Sequence, residues 1–459
     1  MMSEIKFYNT LTRRKETFKP LGSDFVRVYD CGPTVYMRAH IGNMWRYIVS
    51  DLVRRVLEYN NYDVKQVMNI TDVGHLTEED LAADTGEDKV EKTAREKGKT
   101  PQEIADFYTE QFLQDLDLLN IQKPHVLPHA TDYVPKMIKF IKRLEDKGFT
   151  YRAGKYLCFD ISKFSDYGKL SGKRIEELKS GARLEPVPGK KNPFDFALWI
   201  ADENHVQKWD SPWGVGYPGW HIECSTMVVE NLGEQIDIHS GGEDNIFPHH
   251  ENEIAQSEAA TGKQFVQYWI HIRHNVVNGR KMSKSLGNFF VLDDILERGY
   301  DPLAYRYLCL LSHYRSQLNF TWGGLDSAAA ALRNLRRYVR TWDPATTIID
   351  SYKECFVEAV NNDLNLPQAL GVTWDMVRSG YSSGEKKATL MDFDRVLGFQ
   401  LSELEFLEIP SKVQALVEQR EEAREEGDFE GADKLRDKIR EHGFEVDDTE
   451  AGSQVYPRE

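Results

Sequence analysis

At 459 residues the chain is too long for one simple core, so a large domain with appendages is expected. Its 41% hydrophobic and 29% charged residues are the ordinary balance of a soluble globular protein, and a net charge of −16 is the wrong sign for a generic nucleic-acid coat, so a nucleic-acid partner would have to be met by local basic patches. No stretch approaches the roughly 18 apolar residues of a membrane span, the first residues carry no apolar signal segment, and five cysteines without paired spacing argue for a reducing, cytoplasmic setting rather than a disulfide framework.

Residues 1–24 read as a polar lead-in. Phe25-Val26-Arg27-Val28-Tyr29 alternates and is rich in β-formers, which predicts a strand. The stretch Cys31-Gly32-Pro33-Thr34-Val35-Tyr36 follows and is closed by His40-Ile41-Gly42-Asn43. Trp45, Ile48, Val49, Leu52, Val53 and Val56 then recur at helical spacing. Strand, glycine-bearing turn and helix together aim backbone N–H groups and a positive dipole end at a phosphate. Gly42 permits close approach, and His40 and Asn43 stand where side-chain donors could hold phosphate oxygens. A second strand is expected over Val64 to Thr71, then a charged segment from Glu78 to Lys99 and a helix near 101–118.

Residues 121–230 read as an insertion, with helical periodicity near 133–147, a short strand at Tyr156 to Asp160, and a Pro- and Gly-rich passage holding Trp199, Trp209, Trp213 and Trp220. The α/β signal resumes with Gln235 to His239 running into Ser240-Gly241-Gly242, followed by a strand at Tyr268 to Ile272 and a tight turn at Asn278-Gly279. Two α/β halves split by an insertion predict one doubly wound nucleotide-binding sheet with its site at the carboxyl ends of the strands. Beyond about 290 helical periodicity dominates. Asp301-Pro302 can cap and open a helix, Ala432, Leu435 and Ile439 mark one arm of a helical hairpin broken at Gly427-Asp428, and the tail from Phe444 to Tyr456 suggests a small β element.

Three groups of residues carry chemistry. Lys281-Met282-Ser283-Lys284-Ser285 places two lysines in a Ser-rich loop that can reach a polyphosphate, although a lone lysine pair is more often a solvated turn. Arg333, Arg336, Arg337 and Arg340 form a basic stripe on one helix face, a pattern usually explained by solvation. Cys31, Cys224, His249 and Glu253 offer two thiolates, an imidazole and a carboxylate. His249 and Glu253 lie i and i+4 on a helix opened by Pro248, and the four residues can complete a Zn²⁺ shell. Singly, such residues are more often a buried core cysteine or a surface pair.

The His40–Asn43 turn and the Lys281–Ser285 loop, at this order and distance, resemble the signature pair of class I aminoacyl-tRNA synthetases, with Asn43 in place of the second histidine of the commonest form. With Asp195 to Trp199, Gly219 to Ser225 and Phe247 to Glu253, the resemblance narrows to the cysteinyl-tRNA synthetases and runs from about residue 5 to the tail. It implies a Rossmann-type catalytic domain and a mainly α-helical C-terminal tRNA-binding region. The implied units are a first catalytic half at 1–120, a connective insertion at 121–230, a second half at 231–290, a stem-contact region at 291–325, an anticodon-binding bundle at 326–400 and a small hairpin and tail at 401–459.

The resemblance also implies one Zn²⁺ on Cys31, Cys224, His249 and Glu253 that binds the substrate's own thiolate. Thr71, Trp220 and His239 are implied around the amino acid, and Gly241, Gly242 and Asp244 beside the adenosine. His40, Asn43, Lys281 and Lys284 are implied as catalytic, with Mg²⁺ accompanying ATP, and the arginine stripe as a phosphate contact for tRNA(Cys). The expected substrates are ATP, L-cysteine and tRNA(Cys), and the expected assembly is a monomer. A mycothiol-type ligase, passing activated cysteine to a small amine, shares these motifs and is the alternative, and a non-catalytic RNA-binding zinc protein is a more distant one. After Asn69-Ile70-Thr71-Asp72 the chain reads Val73-Gly74-His75-Leu76 and departs from the common family pattern, so no role is carried over to 73–90. Cys158, Cys309 and Cys355 are expected to be buried small apolar residues.

Overall fold

The computed structural model describes residues 3–22, 24–76, 86–173, 189–283, 286–404, 409–449 and 452–457. Its centre is a four-stranded parallel sheet in the order Val266–Ile272, Ile236–Gly242, Val26–Asp30, Val64–Met68. The two inner strands are covered on both faces and read as nearly continuous buried runs, the pattern of parallel strands. Tyr29 pairs with His239 and Asp30 with Ser240, so the chain returns after the insertion to lie beside its own first strand. The second strand stops at Met68, short of the predicted Thr71. Asn69 to Thr71 leave the ladder to brace the turn: Gly32 N–H donates to Asn69 Oδ1, Thr71 N–H to Pro33 O and Val35 N–H to Thr71 O. A Cβ on Gly32 would stand 1.6 Å from the Asn69 carbonyl oxygen, so only glycine fits there.

The helix Ile41–Tyr59 opens at the carboxyl end of the first strand and buries Ile48, Leu52 and Val56 against the sheet core. The insertion is more regular than its sequence suggests. Helix Ala130–Asp146 leads to a four-stranded antiparallel sheet, Thr150–Ala153, Tyr156–Phe159, Phe196–Ala201 and Gly216–Pro218. The all-apolar Phe196–Ala201 strand went unread because it has no alternation. A further unread helix, Trp220–Leu232, packs against Ala130–Asp146 and His249–Thr261.

The hairpin Val276–Val277/Arg280–Lys281 turns through Asn278 and Gly279, both at positive φ (49° and 71°), as the Asn-Gly pair predicts. Asp301 caps helix Pro302–Leu310 by accepting from Leu303 N–H at 2.7 Å. From that helix the fully buried Arg306 reaches Asp51 at 2.6 Å, Leu397 O at 2.7 Å and Leu119 O at 3.1 Å, tying the helix Ile41–Tyr59 to the helical region. Helices Trp322–Thr341, Asp350–Asn361, Leu366–Arg378 and Ser383–Leu397 share the main core. Helices Ser411–Glu425 and Phe429–Glu441 and the hairpin Phe444–Thr449/Gly452–Pro457 close round a small core of their own, Val413, Val417, Ile439, Val446 and Val455. Cys158 and Cys309 are buried as expected; Cys355 is instead exposed, on the outer face of its helix. Among the described residues no helix is long and apolar enough to cross a membrane.

Candidate active site and metal centre

The carboxyl ends of the central strands open into a cleft of about 690 Å³. At its floor, Cys31 leaves the first strand, Cys224 stands on helix Trp220–Leu232 and His249 opens helix His249–Thr261, while Glu253, on the same face of that helix, is buried just behind the lining. One donor atom from each lies within 4.8 Å of all the others, and all four residues are buried. His249 Nε2 is 3.1 Å from Glu253 Oε1 and 3.5 Å from Cys224 Sγ. Glu253 Oε1 makes no well-formed hydrogen bond although it is buried, a costly arrangement unless a cation uses that oxygen. Burial and the neighbouring Cys31 push the Cys224 thiol up, whereas at Cys31 hydrogen bonding from Cys224 and the charge of His250 outweigh burial and hold the thiol well below its usual range. Burial works against ionisation of Glu253, but His239 and His249 bring it down to about 2. Two sulfurs, an imidazole and an ionised carboxylate converging in a dry core fit a metal ion.

A ring of further histidines supports this cluster. His239 was expected beside the amino acid, but it is buried in the middle of the sheet, between Tyr29 and Trp269, and does not line the cleft. Its Nε2 meets Glu253 Oε2 at 3.0 Å and its ring stacks on Trp269, so it orients the carboxylate from behind. His250 Nε2 lies 3.2 Å from Cys31 Sγ, and its Nδ1 lies 2.8 Å from His271 Nε2. His239 and His250 also form a second donor set with Cys31 and Glu253. His221 Nδ1 is 2.8 Å from His249 Nδ1. The sequence reading missed His221, His250 and His271, although His249-His250-Glu251-Asn252-Glu253 displays one of them beside a chosen ligand.

The other end of the cleft is built by the helix start. His40 is the N-cap: Asn43 N–H donates to its Nδ1 at 3.2 Å, and Asn43 Oδ1 accepts from His40 N–H at 3.3 Å. With Nδ1 accepting, the ring proton sits on Nε2. Burial and the charge of Arg46 lower His40 to about 4, so the ring stays neutral. His40, Asn43 and Asp244 line this end, together with Arg46, which the sequence analysis did not single out. A second cleft of about 410 Å³ adjoins it and adds Gly42, Gly242, Asn275 and Lys281.

A Cβ on Gly42 would stand 2.3 Å from Asn275 Oδ1. Gly241 behaves differently from the expectation: a Cβ there would stand 2.6 Å from the His250 ring, so its smallness admits that histidine rather than a nucleotide. Lys281 is exposed on its hairpin, while Lys284 lies outside the described residues. Thr71 and Trp220 line the middle of the main cleft; Thr71 Oγ1 donates to Glu223 Oε2 at 3.0 Å, and Trp220 stacks between His75 and His249.

The arginine stripe does not face solvent as a unit. Arg333 is exposed, but Arg336 is paired with Asp301, Arg337 lies over the Tyr456 ring at 4.7 Å, and Arg340 is half-buried.

Comparison with known proteins agrees with this geometry. Residues 17–330 match the family described as tRNA synthetases class I (C) catalytic domain, and residues 408–456 match that described as cysteinyl-tRNA ligase anticodon binding domain. Cysteine–tRNA ligase of Treponema denticola is 43% identical over 91% of this chain and 90% of its own. Cysteine–tRNA ligase 1 of Burkholderia lata is 45% identical over 98% of this chain and 97% of its own. Among solved structures, Mycobacterium tuberculosis methionyl-tRNA synthetase with methionyl-adenylate superposes at a TM-score of 0.55 and 15% identity, over 82% of this chain and 90% of that one, a likeness of fold. The Rossmann-like parallel sheet, the helical C-terminal region and these relatives establish that the chain belongs to the cysteine–tRNA ligases, a family of class I aminoacyl-tRNA synthetases.

Proposed function

We propose that the chain activates L-cysteine with ATP and transfers it to the 3′ end of tRNA(Cys), selecting cysteine through its thiol. The carrying observation is one cleft with a buried Cys31/Cys224/His249/Glu253 donor set at one end and the His40–Asn43 helix start at the other. Bound by those four residues, Zn²⁺ would supply a soft Lewis acid for the substrate's thiolate, a partner that serine's hydroxyl cannot imitate.

In the first step the cysteine carboxylate attacks the α-phosphate of ATP, which brings Mg²⁺ with it, and pyrophosphate leaves. The neutral His40 donates from Nε2 to phosphate oxygen. Asn43, its carbonyl engaged in the cap, presents its amide NH₂, and the N–H groups of the helix start add their dipole. Gly42, Gly242 and Asp244 shape the ATP side. Lys281, on the hairpin, meets the developing charge on pyrophosphate, and the same role is assigned to Lys284. In the second step a hydroxyl of the tRNA's terminal adenosine attacks the carbonyl carbon of the adenylate, forming the ester as the mixed-anhydride bond breaks and AMP leaves; positioning and electrostatics suffice, and no side-chain nucleophile is needed.

We assign the anticodon end of the tRNA to 408–456, where the anticodon-binding family matches, rather than to the 326–400 bundle that the resemblance implied, with the helices from residue 291 onward spanning the distance between. A monomer is the assembly we propose, and buried thiols at Cys31 and Cys224 suit a reducing compartment such as the cytoplasm. The match over 408–456 favours a tRNA acceptor over a small amine of the mycothiol type.

The test is charging of tRNA(Cys) with ATP, Mg²⁺ and cysteine, with serine as control. Cysteine attached and serine ignored is the expected result. AMP formed while the tRNA stays uncharged would hand the reading to the small-amine ligase.

A further inference from the structure

The stretch to which the resemblance carried over no role holds a hydrogen-bonded series that ends in the cleft. Lys89 opens helix Lys89–Lys97, whose N-cap Asp88 accepts from Val90 and Glu91 N–H and also from Gly74 N–H at 2.7 Å. Lys89 grips His75 twice. Its backbone N–H donates to His75 O at 2.9 Å, and its Nζ lies 2.6 Å from His75 Nε2. The other ring nitrogen, Nδ1, lies 2.6 Å from Thr34 Oγ1, and the ring is stacked on Trp220 with centroids 4.5 Å apart and planes 10° from parallel. Thr34, His75, Lys89 and Trp220 all line the cleft.

Donor and acceptor chemistry fixes the direction of this series. An ammonium has three donors and no acceptor, so Lys89 donates to Nε2; the single proton of a neutral imidazole then sits on Nδ1 and is donated to Thr34 Oγ1. The hydroxyl, having accepted, has its own proton left for the cleft. Thr71, its neighbour across an isolated β-bridge, is set the opposite way: its proton goes to Glu223 Oε2, and Asn69 Nδ2 donates to it at 2.9 Å, leaving one lone pair.

Thr34 lies on the turn between Cys31, at the thiol end, and His40, at the phosphate end. A cysteine anchored by sulfur with its carboxylate turned toward ATP must lay that carboxylate beside this turn. We propose that His75 and Lys89 are positioning residues that fix the Thr34 hydroxyl as a hydrogen-bond donor to the carboxylate of the bound amino acid, while Thr71 presents a lone pair to its ammonium. The proposal rests on the reading that cysteine is the substrate, and it makes His75 and Lys89 part of substrate recognition.

The test is calorimetric binding of three thiols to the metal-loaded enzyme: L-cysteine, 3-mercaptopropionate (thiol and carboxylate) and cysteamine (thiol and ammonium). Thr34→Val and His75→Phe, the latter keeping a ring against Trp220, should weaken L-cysteine and 3-mercaptopropionate about tenfold or more, the size of a lost hydrogen bond to a charged group. Both should leave cysteamine within about twofold, since its recognition keeps every partner. Lys89→Met should follow the same pattern more weakly, and Thr34→Ser should restore it. Cysteamine binding also reports that each variant has kept its site. Equal weakening of all three thiols would make the series merely structural and overturn the proposal, as would unchanged binding of all three. If the unsubstituted enzyme binds none of them, the cysteine reading itself falls.

Discussion

The two ends of the cleft are built on opposite plans. At the thiol end every group is buried and held from behind: His239 grips Glu253, His221 faces His249, and His250 touches Cys31. At the phosphate end Lys281 stands exposed on a two-residue strand, and His40 and Asn43 are fixed by their mutual cap. The difference fits the tasks proposed for the two ends. Telling a thiol from a hydroxyl needs a site whose geometry does not yield, whereas binding ATP and releasing pyrophosphate in every cycle needs an end that opens to solvent.

The comparison breaks most visibly at the thiol end. Cys224→Ala should lower bound metal and reduce cysteine-dependent pyrophosphate exchange by about a thousandfold, since metal charge stabilisation is worth several kcal/mol. Elemental analysis beside the exchange assay checks it, and full metal retention would remove Cys224 from the donor set. His40→Ala should lower the exchange rate by roughly 10² to 10³, the effect of losing one preorganised donor, while metal content and cysteine affinity hold. If both fall together, the two ends are not independent.

His239→Gln tests the supporting layer: metal affinity should drop about 10- to 100-fold in a chelator competition, with the ATP Michaelis constant unchanged.

The pH dependence separates the ends further. His40 is lowered in the fold to about 4 from 6.5, because burial and Arg46 disfavour its charged form. The unfolded chain takes up that proton as pH falls below 6.5 and the folded chain does so only near 4, so His40's contribution to stability is whole above 6.5 and is lost on acidification through that window. Urea denaturation should therefore show His40→Asn losing less stability than the unsubstituted chain between pH 7 and 4.5.

The smallest effect belongs to the arginine stripe. Arg333→Ala should reduce the salt slope of tRNA binding by about one phosphate contact. Arg336→Ala, whose side chain is already turned to Asp301, should change it less.

Much of this was legible in the sequence because the turn chemistry is local. Strand, Cys31 to Tyr36 and His40 to Asn43 lie within a few residues of one another, and His249 and Glu253 share a helix face by spacing alone. What escaped lies in relations between distant segments. His239 looks like a pocket residue until its pairing with Tyr29 and Trp269 puts it inside the sheet. Gly241 looks like a nucleotide glycine until the His250 ring is seen against it. The arginines at 333, 336, 337 and 340 share a helix face, but helix periodicity says nothing of Asp301 or Tyr456, which engage two of them. The Phe196–Ala201 strand lacked alternation because it is buried on both sides.

The split of the parallel sheet has a consequence for how the protein comes into being. Cys31 precedes the insertion, while Cys224, His249 and Glu253 follow most or all of it, and the strand that seats the second half beside the first, Ile236–Gly242, is made last among those flanking Cys31. A nascent chain on the ribosome can form the helix Ile41–Tyr59 and the antiparallel sheet of the insertion early, but its first cysteine waits without partners until the closing strand and the helix behind it emerge. Closing so long a loop is entropically unfavourable and slow. Capture of a metal ion by this donor set would therefore belong to the end of folding rather than its beginning, and a metal-free chain stalled at that point would be expected to hold its peripheral elements while its two catalytic halves remain apart.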